Sequence, residues 1–323
     1  MLHQFDINLD LPPKQRWVEV VTYFKKDCLL TLEYMEKLTT GTFVGKCLNM
    51  LVSGIAATYI KTGNVMYKEE LESIANILGV SCHKVLLSQL IYELNSACTS
   101  VVLNHKGKNV MFRTMDWDLE LLKKLTCELK FTKNNKTIFK AVSWGGYIGI
   151  LTALVPKKYS LAVNYRRSSN GTLLTSLKRI IGLAWPVGYL CRHLLEKELD
   201  YDIIKQQLIE CNLVSPCYFI LCNHQSTSHK IIRDCDTCVD SIKTDQYLIQ
   251  TNKDPGITQT NILFSCEREL LAEKIILENK EKWDDYLSIF NSFLINPIIN
   301  EETVYASMMV PEDETLFCMV NNY

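Results

Sequence analysis

The sequence has almost no net charge and few of the residues that make flexible linkers. It has 323 residues, with 35 Lys and Arg against 36 Asp and Glu, so its formal net charge is −1. Nucleic-acid binding requires a concentrated basic face, and the basic residues here are spread along the chain, which excludes that class of partner. The chain holds 13 Gly and 8 Pro, and no Gly-, Ser- or Pro-rich run, internal repeat or low-complexity segment divides it.

A signal-peptide pattern is also lacking, because residues 1–6 carry neither a basic start nor an apolar stretch. The 13 cysteines are odd in number and irregularly spaced, which fits a reducing compartment better than an oxidising one. These features predict a cytoplasmic protein. A lysosomal or secreted protein is the alternative if the N-terminus has been trimmed.

Apolar residues make up 47% of the chain, enough for one large core in a chain too short for two independent domains with a linker. The first hundred residues have mostly helical periodicity, and strand-like runs follow, interrupted by helices. This order predicts an α+β fold with two sheets covered by helices. The predicted helices are 17–40, 69–78, 83–94, 173–181, 201–211, 267–278 and 283–294. The predicted strands are 99–103, 109–115, 126–133, 136–143, 147–154, 159–165, 218–222, 230–233, 247–251, 304–309 and 316–320.

One stretch, residues 43–60, is strongly apolar and approaches the length of a membrane span. Gly45, Lys46 and Gly54 weaken that interpretation. We expect a buried core helix there, with a helix lying on a lipid surface as the alternative.

Cys98 stands where helical spacing ends and a β-branched, apolar pattern begins. A polar turn with Gly107 follows, and a second strand brings Arg113 and Asp116. An arginine beside a thiol favours the thiolate, which is the nucleophilic form. Cys98 is therefore a candidate nucleophile, and the alternative is a small core residue.

The residues around Cys98 resemble the family of acid ceramidase and N-acylethanolamine acid amidase. The similarity continues in order from about residue 7 to about residue 310. It is carried by residues 7–13 with 16–17, 97–102, 112–116, 134–141, 146–149, 216–221 and 250–252. Penicillin V acylase and bile salt hydrolase are more distant relatives.

The resemblance implies the four-layer αββα sandwich of the N-terminal nucleophile hydrolases. Residues 1–97 would form a helical α-subunit region that contacts a membrane surface, and residues 98–323 the β-subunit, together one compact unit. The precursor would cleave itself between Ala97 and Cys98, and the two chains would stay together. The freed α-amine of Cys98 would then act as its own base.

The implied activity is hydrolysis of a lipid amide, a ceramide or N-acylethanolamine, through a Cys98 acyl-enzyme. Arg113 would hold the thiolate, Asp116 would orient the α-amine, and Asn252 would donate to the oxyanion. Arg268 matches a family arginine near the nucleophile. Because residues three apart on a strand point to opposite faces, Arg113 and Asp116 can both serve Cys98 only if the strand bends or ends.

The sequence departs from the family at Tyr165, where the relatives carry an acid, and it lacks their Asp-Asp-Arg-Arg run near Arg268. Tyr165 is predicted to contact the oxyanion or the substrate, and Trp144 and Gly146 to line the substrate pocket. The alternatives are a catalytically lapsed member that binds a lipid or a protein, and an amidase with a changed N-acyl substrate. The lone CxxC at Cys235 has no second pair, so no metal and no cofactor are predicted.

Overall fold

The structure is a computed structural model. It describes residues 2–40, 53–58, 60–62, 65–90, 96–167, 179, 184–225, 227–244, 246–256 and 262–321. The helices are α1 (Pro13–Arg16), α2 (Val18–Tyr23), α3 (Lys25–Thr40), α4 (Lys68–Leu78), α5 (Cys82–Gln89), α6 (Leu121–Leu125), α7 (Val187–Leu195), α8 (Tyr201–Glu210), α9 (Ser265–Asn279) and α10 (Tyr286–Ser292).

The strands form two sheets. They are β1 (Gln4–Asn8), β2 (Ala97–His105), β3 (Lys108–Asp116), β4 (Thr126–Lys133), β5 (Lys136–Trp144), β6 (Thr152–Val155), β7 (Tyr159–Tyr165), β8 (Cys217–Asn223), β9 (Ser228–Arg233), β10 (Cys238–Thr244), β11 (Tyr247–Gln250), β12 (Thr303–Val310) and β13 (Thr315–Val320). The larger sheet has the order β1-β4-β5-β6-β7-β8-β9-β10, and the smaller has the order β11-β2-β3-β12-β13.

The alternation of side chains along the strands produces four layers. In β8, Phe219 and Leu221 join the core under the helices that cover the larger sheet. Tyr218 and Ile220, which alternate with them along the strand, face the smaller sheet. On the far side of the smaller sheet, Phe112 and its neighbours pack against α9 and α10. The order is helix, sheet, sheet, helix, which confirms the predicted αββα sandwich.

The prediction of a helical region before Cys98 missed β1, which pairs in parallel with β4 of the larger sheet. Phe5 and Ile7 are buried while Gln4 and Asp6 are exposed. This period-2 pattern is the signal of a strand. The first residues of the chain therefore belong to the same sheet as residues far beyond Cys98.

Other differences concern individual elements. The predicted strand 147–154 is shorter, because Ile148 N–H donates to the side chain of Gln89 rather than to a neighbouring strand. The strands β9 and β10 form a hairpin of which only the first half was predicted, and α7 was not predicted. The predicted helix 173–181 and most of the apolar stretch 43–60 lie outside the described residues. None of the helices in the described part of the chain is long and apolar enough to cross a membrane.

Candidate active site

Cys98 lies at the start of the β2–β3 hairpin, as the sequence predicts. Lys106 and Gly107 both have positive φ and form its tight turn, which is the geometry that joins antiparallel strands with a right-handed twist. In this register Cys98 pairs with Met115, and Ala97 pairs with Asp116. The Cys98 side chain is fully buried, and its Sγ lies 3.8 Å from the carbonyl oxygen of Val163 in the larger sheet.

Arg113 points from β3 to the same side as Cys98 and is fully buried. Its Nη2 lies 3.5 Å from Cys98 Sγ and donates to Val163 O at 2.6 Å. Its Nη1 donates to Leu151 O at 2.5 Å and to the hydroxyl of Thr152. A guanidinium in this position places positive charge where a thiolate would form.

Asn252 reaches Cys98 from the chain that follows β11. Because β11 pairs with β2 in the register Gln250 with Ser100, Asn252, two residues further on, comes to lie beside Cys98. The backbone N–H of Cys98 donates to Asn252 Oδ1 at 2.8 Å, and Asn252 Nδ2 donates to Tyr165 O at 2.9 Å. In the continuous chain the side-chain amide of Asn252 therefore holds the nitrogen of Cys98.

Arg268 joins the site from α9, and its side chain is fully buried. Its Nη1 donates to Cys98 O at 2.7 Å, and its Nη2 donates to Asn252 Oδ1 at 3.0 Å. Burial lowers the pKa of Arg268, against the opposing effect of the Asp116 carboxylate. The side chain thus binds both the backbone and the amide partner of the candidate nucleophile.

Asp116 lies on the face of β3 opposite to Arg113, since the strand stays regular between them. Its Oδ1 accepts a hydrogen bond from Thr303 at 2.7 Å, and its Oδ2 lies 3.4 Å from Arg268 Nη1. In this continuous chain the nitrogen of Cys98 is held by Asn252, and a contact between Asp116 and the free α-amine of the cleaved protein stays a prediction. In this structure Asp116 reaches Cys98 through Arg268.

The carboxyl group of Asp116 should make folding stability depend on pH. Burial raises its pKa from an ordinary 3.8 to about 6, although Arg268 and Thr303 act in the opposite direction. At pH values between 3.8 and about 6, the Asp116 carboxyl is mostly protonated in the folded chain and mostly ionised in the unfolded chain. The stabilisation from Asp116 is therefore fully present below pH 3.8 and is lost as the pH rises through about 6.

Asp116→Asn should remove this loss. We expect the free energy of unfolding of the wild type, relative to the variant, to fall by about 1–3 kcal/mol between pH 4 and pH 6.5. Denaturant titrations across that range measure it. Asp313→Asn is the control, because Lys108 and Tyr286 hold the pKa of Asp313 below its ordinary value and outside this range. Parallel pH profiles for the wild type and Asp116→Asn would contradict the assignment.

Two polar groups that the sequence analysis did not single out support the site. Asn164 is fully buried, and it accepts from Ser100 Oγ at 2.8 Å and donates to Gln250 O at 2.8 Å, so it ties β7 to β2 and β11. Its signal was a polar residue within the apolar strand 159–165. Arg166 holds Asp254 through two hydrogen bonds of 2.7 Å each, which fixes the loop that carries Asn252.

Trp144 and Gly146 line an apolar pocket with a volume of ≈ 50 Å³. Gln89 holds its rim, since Nε2 donates to Gly146 O at 3.0 Å. Gly146 has a φ of +82°, and a Cβ there would lie 3.2 Å from Cys28 Sγ, so both backbone and space favour glycine. The pocket is lined by Cys28, Thr31, Leu32, Met35, Ile74, Leu78, Val85, Ser88, Gln89, Leu122, Leu125, Trp144, Gly145, Gly146 and Tyr147.

The pocket and Cys98 belong to the same buried part of the fold. The Trp144 ring lies 6.1 Å from the Trp117 ring and 6.5 Å from the Tyr305 ring, measured between centroids. Cys98, Trp144 and Tyr305 belong to the same buried cluster. Tyr165, predicted to contact the substrate, ends β7 half-buried and contributes its backbone carbonyl to Asn252.

Comparison with known families matches two parts of the chain. Residues 1–58 match the beta subunit of N-acylethanolamine-hydrolyzing acid amidase. Residues 98–256 match the linear amide C–N hydrolases of the choloylglycine hydrolase family. The second match begins at Cys98, the residue at the centre of the geometry described above.

Individual proteins give the same result. Acid ceramidase of Rattus norvegicus is 32% identical over 333 residues, covering 94% of this chain and 82% of that protein. Uncharacterized protein R632 of Acanthamoeba polyphaga mimivirus is 35% identical over 310 residues, covering 93% and 94%. The solved Caenorhabditis elegans N-acylethanolamine-hydrolyzing acid amidase ortholog is 24% identical, with a TM-score of 0.59 over 66% of this chain and 93% of that one. The last comparison shows the fold.

Proposed function

The chain belongs to the acid ceramidase family and is a hydrolase of amide bonds; from that premise we propose that it hydrolyses lipid amides through Cys98. The substrate would be a ceramide or an N-acylethanolamine, and the products a free fatty acid and an amine. The observation that carries the proposal is the convergence of Arg113, Asn252 and Arg268 on Cys98. An apolar pocket lined by residues of the same buried cluster as Cys98 supports it.

The active form would arise by self-cleavage between Ala97 and Cys98. Cys98 Sγ adds to the Ala97 carbonyl carbon, and the thiol proton passes to the nitrogen as the C–N bond breaks. The resulting thioester between Ala97 and Cys98 is hydrolysed by water, which leaves a carboxylate on Ala97 and a free thiol and α-amine on Cys98. Asn252 supports this step because it already binds the nitrogen that becomes the amine.

In the hydrolytic reaction the α-amine of Cys98 takes the thiol proton, and the sulfur attacks the substrate carbonyl. Arg113 stabilises the negative sulfur from 3.5 Å. The ammonium then gives its proton to the departing amine as the C–N bond breaks, and an acyl-enzyme remains. Water, deprotonated by the α-amine, releases the fatty acid. We assign Asn252 to the stabilisation of the oxyanion. We assign Arg268 to the positioning of the Cys98 backbone.

The alternative is a binding protein without catalytic activity. Two departures from the family favour it: Tyr165 replaces an acidic residue, and the Asp-Asp-Arg-Arg run near Arg268 is missing. Arg268 nevertheless lies fully buried against Cys98 O and Asn252 Oδ1. These contacts favour the proposed hydrolase over a binding protein without activity.

Hydrolysis of defined lipid amides tests the proposed function. Purified protein is incubated with N-lauroylsphingosine or N-palmitoylethanolamine at pH 4.5 and pH 7, and the released fatty acid is measured by mass spectrometry. We expect release from at least one of the two lipids. Hydrolysis of short N-acyl amino acids without release from either lipid would favour the changed-substrate alternative.

The pocket should set the preference for acyl-chain length. Leu32 lines it from α3, whereas Leu30 on the same helix is 40% exposed. Leu32→Trp should lower kcat/KM for a sixteen-carbon amide by about tenfold, because excluding two methylenes loses roughly 1.6 kcal/mol. A four-carbon amide should be hydrolysed as by the wild type.

Leu30→Trp is the control for this experiment, because it adds the same indole to the outer face of α3. It should leave both rates unchanged. An equal loss for long and short chains in Leu32→Trp would show that the pocket does not hold the acyl chain.

A further inference from the structure

Acceptors that contact both terminal nitrogens, Nη1 and Nη2, direct the guanidinium of Arg113 at Cys98. On the side of the thiol, Nη2 contacts Val163 O and Cys98 Sγ. On the other side, Nη1 donates to Leu151 O and to Thr152 Oγ1. The two carbonyls are fixed by the sheet, since Val163 N–H donates to Leu151 O at 3.0 Å. The hydroxyl of Thr152 is thus a side-chain contact that can be changed without altering the backbone.

Thr152 is in turn bound by a residue from the other sheet. The hydroxyls of Tyr305 in β12 and Thr152 in β6 are 2.7 Å apart. The Thr152 side chain is fully buried and Tyr305 is 1% exposed, so no bulk water competes for this hydrogen bond. A hydroxyl has two lone pairs and one proton, which lets Thr152 Oγ1 accept from Arg113 while it remains bonded to Tyr305.

We propose that Tyr305 and Thr152 are positioning residues for the amide hydrolysis, in which the Tyr305 phenol fixes the Thr152 hydroxyl and that hydroxyl fixes the Arg113 guanidinium beside Cys98 Sγ. The proposal rests on the proposed role of Cys98 as the nucleophile. Without the Thr152 hydroxyl, the guanidinium keeps Leu151 O and Val163 O but loses the side-chain hydroxyl that holds Nη1, so its position beside the sulfur is less well fixed. Substrate binding would be retained, because neither Tyr305 nor Thr152 lines the apolar pocket.

The contacts around Tyr305 indicate which substitution is informative. Burial raises the pKa of Tyr305 to about 12, so the phenol keeps its proton at any pH at which the enzyme would be assayed. Tyr305→Phe removes the hydroxyl and keeps the ring that packs 6.5 Å from Trp144. Thr152→Val removes the hydroxyl at nearly constant shape, and Thr152→Ser restores it.

The experiment measures kcat, KM and the pH dependence of kcat/KM for these three variants. The probe is an N-lauroyl amide of 7-amino-4-methylcoumarin, and rates are normalised to the fraction of cleaved chain found by intact mass. We expect Tyr305→Phe and Thr152→Val to lower kcat by roughly tenfold to a hundredfold at unchanged KM. On the acidic side of the profile, the pH at which kcat/KM is half-maximal should rise by on the order of one unit in these two variants. Thr152→Ser should behave as the wild type.

Tyr159→Phe is the matched control, because Tyr159 is another fully buried tyrosine and its hydroxyl donates to Leu199 O, away from Cys98. It should leave the profile unchanged. An unchanged pH profile in both Tyr305→Phe and Thr152→Val would overturn the proposal, and so would a loss that comes with a raised KM or follows the melting temperature alone. Activity that survives Cys98→Ala would instead overturn the proposed function.

Discussion

Cys98→Ala should abolish both amide hydrolysis and cleavage of the chain, with a loss in kcat of at least about 10⁴-fold. Cys98 Sγ is the group that Arg113 Nη2 approaches at 3.5 Å, and the Cys98 nitrogen is the one that Asn252 binds. Alanine leaves the fold and the pocket in place and removes the atom that would carry the acyl group. Fatty-acid release under saturating substrate measures the effect.

Cys127→Ala provides the control for this prediction, because Cys127 is equally buried. Burial raises the pKa of the Cys127 thiol far above its ordinary range, so it stays protonated and unreactive. The Cys127→Ala protein should hydrolyse the substrate and cleave its chain as the wild type does. Equal losses in the two variants would mean that the effect comes from core packing and not from a nucleophile.

Glu70→Ala should be the most destabilising single change away from the site. Glu70 is 1% exposed and accepts from both terminal nitrogens of Arg192, at 2.5 and 2.8 Å. It also accepts from Arg16 at 3.1 Å and from Trp17 Nε1 at 2.6 Å. Removing it leaves the fully buried Arg192 with only the partly exposed Glu196 as a carboxylate partner, and breaking a buried pair of this kind costs about 3–5 kcal/mol.

Thermal and denaturant unfolding of the full chain measure this loss. The exposed pair of Glu33 and Lys37 is the comparison; Lys37→Ala should leave stability close to that of the wild type. The double variant Glu70→Leu with Arg192→Met should recover much of the loss, since apolar residues can replace a buried pair. A Glu70→Ala protein as stable as the wild type would contradict the proposed importance of this cluster.

The same cluster bears on the cleaved protein, because Arg16, Trp17 and Glu70 precede the Ala97–Cys98 bond and Arg192 follows it. The parallel pairing of β1 with β4 crosses the same division. We propose that these contacts keep residues 1–97 and 98–323 together as one unit after cleavage. The apolar pocket depends on that association, because Leu32 and Val85 lie before the division and Trp144 lies after it.

The sequence was most informative where the signal is local. The Cys98 hairpin, its glycine turn and most strands follow from side-chain period and turn chemistry. The opposite orientations of Arg113 and Asp116 also follow from period 2, and in this structure Asp116 contacts Arg268. The β1 strand was missed although Phe5 and Ile7 alternate with polar residues, because the run is short and most of the following ninety residues have helical patterns.

The contacts that join distant residues could not be read from spacing. Asn252 and Arg268 were found through the family resemblance, and their positions depend on the β11–β2 register and on packing of α9. Nothing local distinguishes Thr152 or Tyr305 from ordinary strand residues. Likewise, Glu70 sits in a helix rich in acidic residues, and only tertiary structure brings Arg192 to it.

The most direct test of this account is the intact mass of the purified protein after incubation at acidic and at neutral pH, under denaturing conditions. We predict two masses for the wild type, those of residues 1–97 and 98–323, and one full-length mass for Cys98→Ala. A single full-length mass for the wild type at every pH would mean that no α-amine is released at Cys98. The proposed reaction would then have no base, and the account of Cys98 as an N-terminal nucleophile would be wrong.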